Sequence, residues 1–300
     1  MTLPKCVATF HLRRFFGAAT LVVSQVARAD EVAPRMAELS THDAVSMELA
    51  ELVTALSPAE QKKLAGAYVA FNADEAAVDA LPACDDDGDY VVVVSDGLLR
   101  LAEAVAYAAA SDRTRGTQLV EAYGALLARA QTPAMLPLPP PVAKLPSGPA
   151  TAPTLDGDAR ALFLDLIAWL VADEVGHVIA GDIVCPHPTA ERERADDTWT
   201  STEHDAALGS APQHMQQAAR VDTWATEAML ARGRSEMGAV AWLVVLAAVE
   251  QAKATGRLSS YLALHPGSTH RVEALRAAAD EWRRTRARPC ESCREEPRMR

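Results

Sequence analysis

Residues 159–182, ARALFLDLIAWLVADEVGHVIAGD, form the stretch that decides the fold. Apolar residues recur through it at helical spacing, so it predicts a largely buried helix. Asp173, Glu174 and His177 interrupt this apolar surface. On a helix, Asp173 and His177 lie one turn apart on the same face, and Glu174 precedes His177 by three residues. Because unpaired ionisable groups are costly to bury, we expect these three to be neutralised or to bind an ion.

The pentapeptide Asp-Glu-Val-Gly-His at 173–177 is the zinc-peptidase signature His-Glu-x-x-His with aspartate in first place. In that signature, the two histidines hold Zn²⁺ and the glutamate is the general base. The wider phrase VADEVGHVIAGD resembles the active-site helix of the HtpX and CAAX-prenyl-protease family of zinc metallopeptidases. The resemblance implies a zincin-like fold, zinc as cofactor, Glu174 as catalytic residue and His177 as a ligand, with Asp173 replacing the other histidine.

Two later segments resemble the same family. Residues 215–232 are similar to its second motif, Glu-x-x-Ala-Asp followed by a helix, in which the glutamate is the third zinc ligand. Asp222 matches the aspartate, which there orients a ligand histidine, but Ala218 stands where the ligand glutamate belongs. The segment LALHPGSTHRVEALRAA resembles the closing motif of the family, with His265 and Arg271 in matching places.

The surviving chemistry is that of a damaged metal site. Of the three ligands implied by the resemblance only His177 remains, although Asp173 offers a carboxylate that can bind zinc. Arg220, two residues before Asp222, is positioned to pair with the carboxylates in place of the dication, or else to face solvent. Without a metal, we expect repulsion among Asp173, Glu174 and Asp222 to raise the pKa of at least one of them.

Two functions follow from this site. The first is an exported metallopeptidase-fold protein, catalytically impaired or inactive, that acts as a binding or regulatory module. The second is an active zinc-dependent metalloendopeptidase in which Asp173, His177 and a histidine of the loop 183–214 hold zinc, with Glu174 as general base. The histidines of that loop are His187, His204 and His214. The sequence leaves open whether the protein is an enzyme.

Composition sets the fold class and narrows the partners. The chain has 300 residues, 49% of them hydrophobic but only 5% aromatic, which favours a mainly helical protein with a small β-sheet, an α+β fold. The net charge is −11, and the first 29 residues contribute four basic residues and no acid, so the remainder is still more acidic. Nucleic acid is therefore not an expected partner.

Residues 1–29 are typical of a secretory signal peptide. Basic residues precede the apolar run FFGAATLVVSQVA, and Ala27-Arg28-Ala29 matches a small-x-small cleavage site. We therefore expect export to the periplasm or the extracellular space, without stable membrane insertion after cleavage; a short anchor or a buried helix is the alternative. Four cysteines then remain, and a Cys84–Cys185 bridge is plausible in an oxidising compartment, although the pairing stays open.

The expected domain spans residues 30–282 and carries a Pro-rich insertion at 133–153; a basic, disordered tail follows at 283–300. Residues 30–80 predict two or three amphipathic helices, and residues 101–130 an Ala-rich helix or helical pair.

One strand is predicted at residues 90–95, where a run of β-forming residues lies between an acidic turn and Asp96-Gly97. By resemblance to zinc peptidases, this strand is expected at the edge of a sheet. A peptide or protein segment would then lie along it through main-chain hydrogen bonds.

Overall fold

The computed structural model describes residues 40–130, 157–185, 211–253 and 256–287. These residues are mostly helical and include a three-stranded sheet, which agrees with the predicted α+β class. The elements, in chain order, are α1 (Thr41–Ala55), α2 (Pro58–Lys63), β1 (Tyr68–Asn72), β2 (Ala80–Cys84), β3 (Tyr90–Ser95), α3 (Asp96–Arg115), α4 (Leu119–Ala130), α5 (Gly157–Ala180), α6 (Ala211–Ala231), α7 (Met237–Gln251), α8 (Arg257–Leu264) and α9 (Ser268–Ala287).

Several sequence predictions lie outside the described residues. These are the signal peptide at 1–29, the Pro-rich insertion at 133–153 and most of the loop 183–214. Helix α9 runs to Ala287, so the boundary predicted at residue 283 falls inside a helix. Within the described ranges, no helix is both long and apolar enough to span a bilayer.

The helical prediction for residues 30–80 is correct only in part. Ser57 caps α2 through a capping box with Glu60, as the Ser-Pro-Ala-Glu sequence indicates. Beyond α2 the chain instead forms β1 and β2. The local sequence of β2, ALPAC, contains a proline and only one large apolar residue, so its strand conformation depends on pairing with β3.

Strand β3 lies in the middle of the sheet, whose strand order is β1-β3-β2. It pairs in parallel with β1 from Val91 to Ser95 and antiparallel with β2 from Tyr90 to Val94. The expectation that residues 90–95 form an edge strand is therefore wrong. The four consecutive valines of β3 explain its position, because a strand buried on both faces reads as a continuous apolar run.

Helix α5 is the central element of the described fold. It contacts α1, α3, α6, α7 and the strands β2 and β3, so nearly every side of it is buried. Trp169 and Phe163 are completely inaccessible to solvent. At Gly176 a Cβ atom would come within 2.6 Å of Val221 Cγ1 on α6, so the absence of a side chain permits this close helix contact.

A disulfide joins Cys84, at the end of β2, to Cys185, five residues beyond α5. The two cysteines are 101 residues apart in sequence, and their Cα atoms are separated by 5.4 Å. The structure thus contains the Cys84–Cys185 bridge, which the sequence left open. This bridge fixes the segment after α5 to the sheet.

Candidate functional site: a buried charged cluster between four segments

The predicted site residues of α5 are buried. Asp173 and Glu174 have no solvent-exposed surface, and His177 is 6% exposed. Asp173 and His177 share one face of the helix as expected, and this face meets α6, α9 and the segment that joins α8 to α9. The segments that the sequence related to one family are therefore in contact in the structure.

Arg271 on α9 is the centre of this cluster. Its Nε and Nη2 atoms each donate a hydrogen bond of 2.8 Å to the Asp222 carboxylate on α6. Nη2 also lies 3.1 and 3.2 Å from the two carboxylate oxygens of Asp173. Both aspartates are completely buried, and the guanidinium packs 5.2 Å from the Trp169 ring centroid. Burial alone would raise the pKa of Asp173, but Arg271 and His265 together hold that pKa below its ordinary value.

His265 lies between Asp173 and Glu174. Its Nδ1 atom is 3.4 Å from Asp173 Oδ2, and its Nε2 atom is 3.7 Å from Glu174 Oε1 and 3.3 Å from the Ala80 carbonyl oxygen. The ring stacks on Tyr261 with a centroid separation of 4.4 Å. Burial lowers the pKa of His265, although Asp173 opposes this shift. The imidazole is thus a neutral group at ordinary pH.

Glu174 is a buried carboxyl group without a hydrogen-bond partner on either oxygen among the described residues. It borders a small cavity whose other walls are apolar and include Val45, Val92 and Leu98. Burial raises the pKa of Glu174 well above its ordinary value, and the charge of Asp173 raises it further. The prediction of a raised carboxyl pKa is thus confirmed, although burial contributes more than like-charge repulsion.

A second ion-pair chain begins at His177. Its Nδ1 atom is 2.9 Å from Asp182 Oδ2, and Arg220 Nη2 donates a 2.5 Å hydrogen bond to Asp182 Oδ1. Gly181 has a φ of 81° and ends α5, so the chain turns back and places Asp182 beside His177. Asp182 was missed in the sequence, where the Gly-Asp pair that follows the helix was the available signal.

Arg220 fits neither of the two alternatives left open for it in full, since it is largely exposed but still pairs with a carboxylate. The side chain is 57% exposed and pairs with Asp182, whereas Arg271 contacts Asp173 and Asp222. Asp222 was expected to orient a histidine, but the hydrogen bonds described to its carboxylate come from Arg271. Arg271 had been identified only as part of the closing motif.

Three of these side chains could hold a metal ion. One ligand atom each from Asp173, His177 and His265 all lie within 4.8 Å of one another. The third member was expected from the loop 183–214. His187 and His204 lie outside the described residues, and the side chain of His214 is not described. Among the described residues, His265 is the third member of the group.

No protein-family model, curated protein or solved structure matches this chain. The geometry of the cluster is therefore the basis for a functional proposal.

Proposed function

We propose that this protein is an exported, metallopeptidase-like protein that does not hydrolyse peptides and acts as a binding or regulatory module. The observation that carries the proposal is the ion pair of Arg271 with Asp173 and Asp222, inside a cluster that solvent scarcely reaches. The order of the motifs along the chain supports kinship with the HtpX and CAAX-prenyl-protease family, as does their convergence on α5.

The state of Glu174 argues against hydrolysis. A general base must be ionised near the working pH and must reach the water that it deprotonates. Burial raises the pKa of Glu174 well above its ordinary value and so favours the protonated form, and the space beside it is a small apolar cavity. Asp173, which replaces the first ligand histidine of the signature, is engaged with Arg271. Neither residue is therefore arranged as a working metallopeptidase requires.

The disulfide supports export. Bonds such as Cys84–Cys185 form and persist in oxidising compartments and are rare where the thiol pool is reducing. This agrees with the signal-like residues 1–29. We therefore propose that the protein resides in the periplasm or the extracellular space, which accounts for both features.

A peptide partner would have to use a different strand from the one expected. Strand β3 is paired on both sides, so it cannot accept another strand. Strand β1 pairs with β3 on one side, and no strand of the described residues lies on its other side. We propose that an extended peptide or protein segment adds to the outer edge of β1, where Tyr68 is 44% exposed.

The second candidate is an altered but active zinc metalloendopeptidase. The grouping of Asp173, His177 and His265 favours it, because three protein ligands with Glu174 nearby are the parts that a catalytic zinc site needs.

A hydrolysis assay tests the choice. Purified chain would be incubated with a library of quenched fluorescent peptides, with added Zn²⁺ and separately with a chelator. We expect no turnover above that of the matched Glu174→Gln variant. Chelator-sensitive cleavage that Glu174→Gln abolishes would overturn the proposal and establish the second candidate.

A further inference from the structure

We propose that the segment added to the outer edge of β1 is β1 of a second copy of this chain. Two copies would then join their three-stranded sheets into one continuous sheet across a two-fold axis. The choice of partner rests on the proposed function, in which an extended segment adds to this edge.

Strand β2, at the opposite edge of the sheet, is poorly suited to such pairing. Its residues from Ala80 to Ala83 are buried, and Pro82 has no N–H group to donate. The Ala80 carbonyl oxygen already lies 3.3 Å from His265 Nε2. A second copy would therefore pair through β1.

Strand β1 lacks the features that keep an edge strand from pairing. Its sequence, YVAFN, contains no charged residue and no proline, the two kinds of residue that most often block an edge. Tyr68 is 44% exposed. None of the backbone hydrogen bonds described for Val69, Ala70 or Phe71 reaches beyond the sheet. The outer edge is thus free to pair over the length of the strand.

A two-fold axis at Ala70 gives this strand a complete match with itself. The backbone groups of every second residue point to the same edge, so residues that face each other in an antiparallel pair of identical strands must have numbers of the same parity. The axis therefore passes through a residue. With Ala70 opposite Ala70 of the second copy, all five residues are paired, whereas any other centre leaves at least two unpaired.

The side chains of this register are compatible. Val69 and Phe71 pair with Val92 and Val94 of β3, so they share the sheet face that packs on the helices. Antiparallel pairing at Ala70 places Val69 of one copy opposite Phe71 of the other. Pairs of an aromatic and a β-branched residue are among the favourable cross-strand pairs.

The charges at the two ends of β1 are complementary in the same register. Lys62 and Lys63 precede the strand, and Asp74 and Glu75 follow it. Antiparallel pairing therefore places the acidic end of each strand beside the basic start of the other, twice in the dimer. Lys62 and Asp74 are both exposed, so they are the pair available for this contact.

Sedimentation equilibrium of the oxidised full chain, from about 1 µM to about 1 mM, tests the inference over the range of weak interfaces. We expect a monomer–dimer equilibrium, because a strand of five residues provides only a small interface. Amide hydrogen exchange in residues 68–72 should slow as the dimer forms. A chain that stays monomeric throughout overturns the inference, as does a dimer that leaves exchange in β1 unchanged.

A charge exchange tests the register with exposed residues. Asp74→Lys should raise the dimer Kd about 3–30-fold, because like charges then meet at both ends of the interface. Addition of Lys62→Asp should restore the wild-type Kd, which general damage to the fold would not allow. Glu227→Lys makes the same change of charge at an exposed position on α6 and is the matched control. Equal Kd values for Asp74→Lys and Glu227→Lys would refute the antiparallel register.

Failure of this inference can be distinguished from failure of the proposed function. Dimerisation through β1 together with chelator-sensitive peptide cleavage would refute the proposed function alone. A monomer whose β1 amides are protected by an added library peptide, without cleavage, would refute only the second copy as the partner.

Discussion

Arg271 donates two parallel hydrogen bonds to Asp222, and the same guanidinium contacts Asp173 on a different helix. This arrangement joins α9 to both α5 and α6 through fully buried charges. The two-pronged contact matches the planar geometry of arginine, which a lysine ammonium cannot reproduce. The ion pair therefore fixes the relative positions of the helices that carry the candidate site.

Replacement of Arg271 with Met should destabilise the protein by about 3–5 kcal/mol, because two buried carboxylates lose their counter-charge. Urea unfolding followed by circular dichroism measures the change. Arg276→Met, an exposed position on the same helix, should alter stability by less than about 0.5 kcal/mol. If Arg271→Met proved as mild as this control, the cluster would not have the energetic role described.

Removal of the Cys84–Cys185 bond should lower the free energy of unfolding by about 2–5 kcal/mol, because the bond closes a long loop in the unfolded chain. Urea curves with and without a reductant provide the measurement. The Cys84→Ser, Cys185→Ser double variant should unfold like the reduced wild type and should not respond to reductant. A reductant effect that persisted in this variant would have to arise from other cysteines.

Asp165 on α5 should make stability depend on pH. Burial raises its pKa from 3.8 to about 6, against the opposing hydrogen bond that its Oδ1 accepts from the Ser235 backbone N–H. The folded state therefore binds more protons than the unfolded state between these values, and stability from this group falls as pH rises from about 4 to 6. The shift corresponds to at most about 3 kcal/mol.

The Asp165→Asn variant should lack that part of the slope and should be more stable than wild type at pH 7. Unfolding free energies measured from pH 4 to pH 7 give the difference. Glu227→Gln, at an exposed position on α6, should retain the wild-type slope. Parallel pH profiles for wild type and Asp165→Asn would show that this carboxyl does not titrate as described.

Gly176→Ala should destabilise the contact between α5 and α6. The new methyl group would lie 2.6 Å from Val221 Cγ1 and 3.1 Å from Trp224 Cε3, so one helix must move. Overpacking of this kind costs about 1–3 kcal/mol, reduced by the gain of up to about 1 kcal/mol in helix propensity. Thermal unfolding of the variant and the wild type measures the change. Gly157→Ala, where a methyl group meets nothing within 4 Å, is the control and should show no loss of stability.

The sequence predicted those elements whose own residue pattern determines their secondary structure. The apolar spacing of residues 159–182 predicts α5, and the valines of residues 91–94 predict β3. Strands β1 and β2 were missed because their conformation depends on partners elsewhere in the sheet. The expectation that β3 lies at the edge of the sheet was wrong for the same reason, since the sequence of one strand does not reveal how many strands pair with it.

The site was predicted as a set of residues but not as a set of contacts. Helical spacing placed Asp173 and His177 on one face, and both lie in the cluster. Nothing in the local sequence indicates that Arg271, rather than Arg220, reaches Asp173, because the two partners are 98 residues apart. His265 was similarly assigned to a motif without a contact, and only the folded chain brings its ring to α5.

The late position of Arg271 has a consequence for the order in which the chain can fold. A chain leaves the ribosome or a translocation channel from its amino end, so α5 and α6 emerge with their two aspartates well before the guanidinium that neutralises them. Arg271 follows Asp222 by 49 residues, and until it arrives these helices cannot pack together without enclosing bare negative charge. Folding of this domain should therefore be completed only after α9 has emerged. Chains interrupted before residue 271 should remain sensitive to proteases.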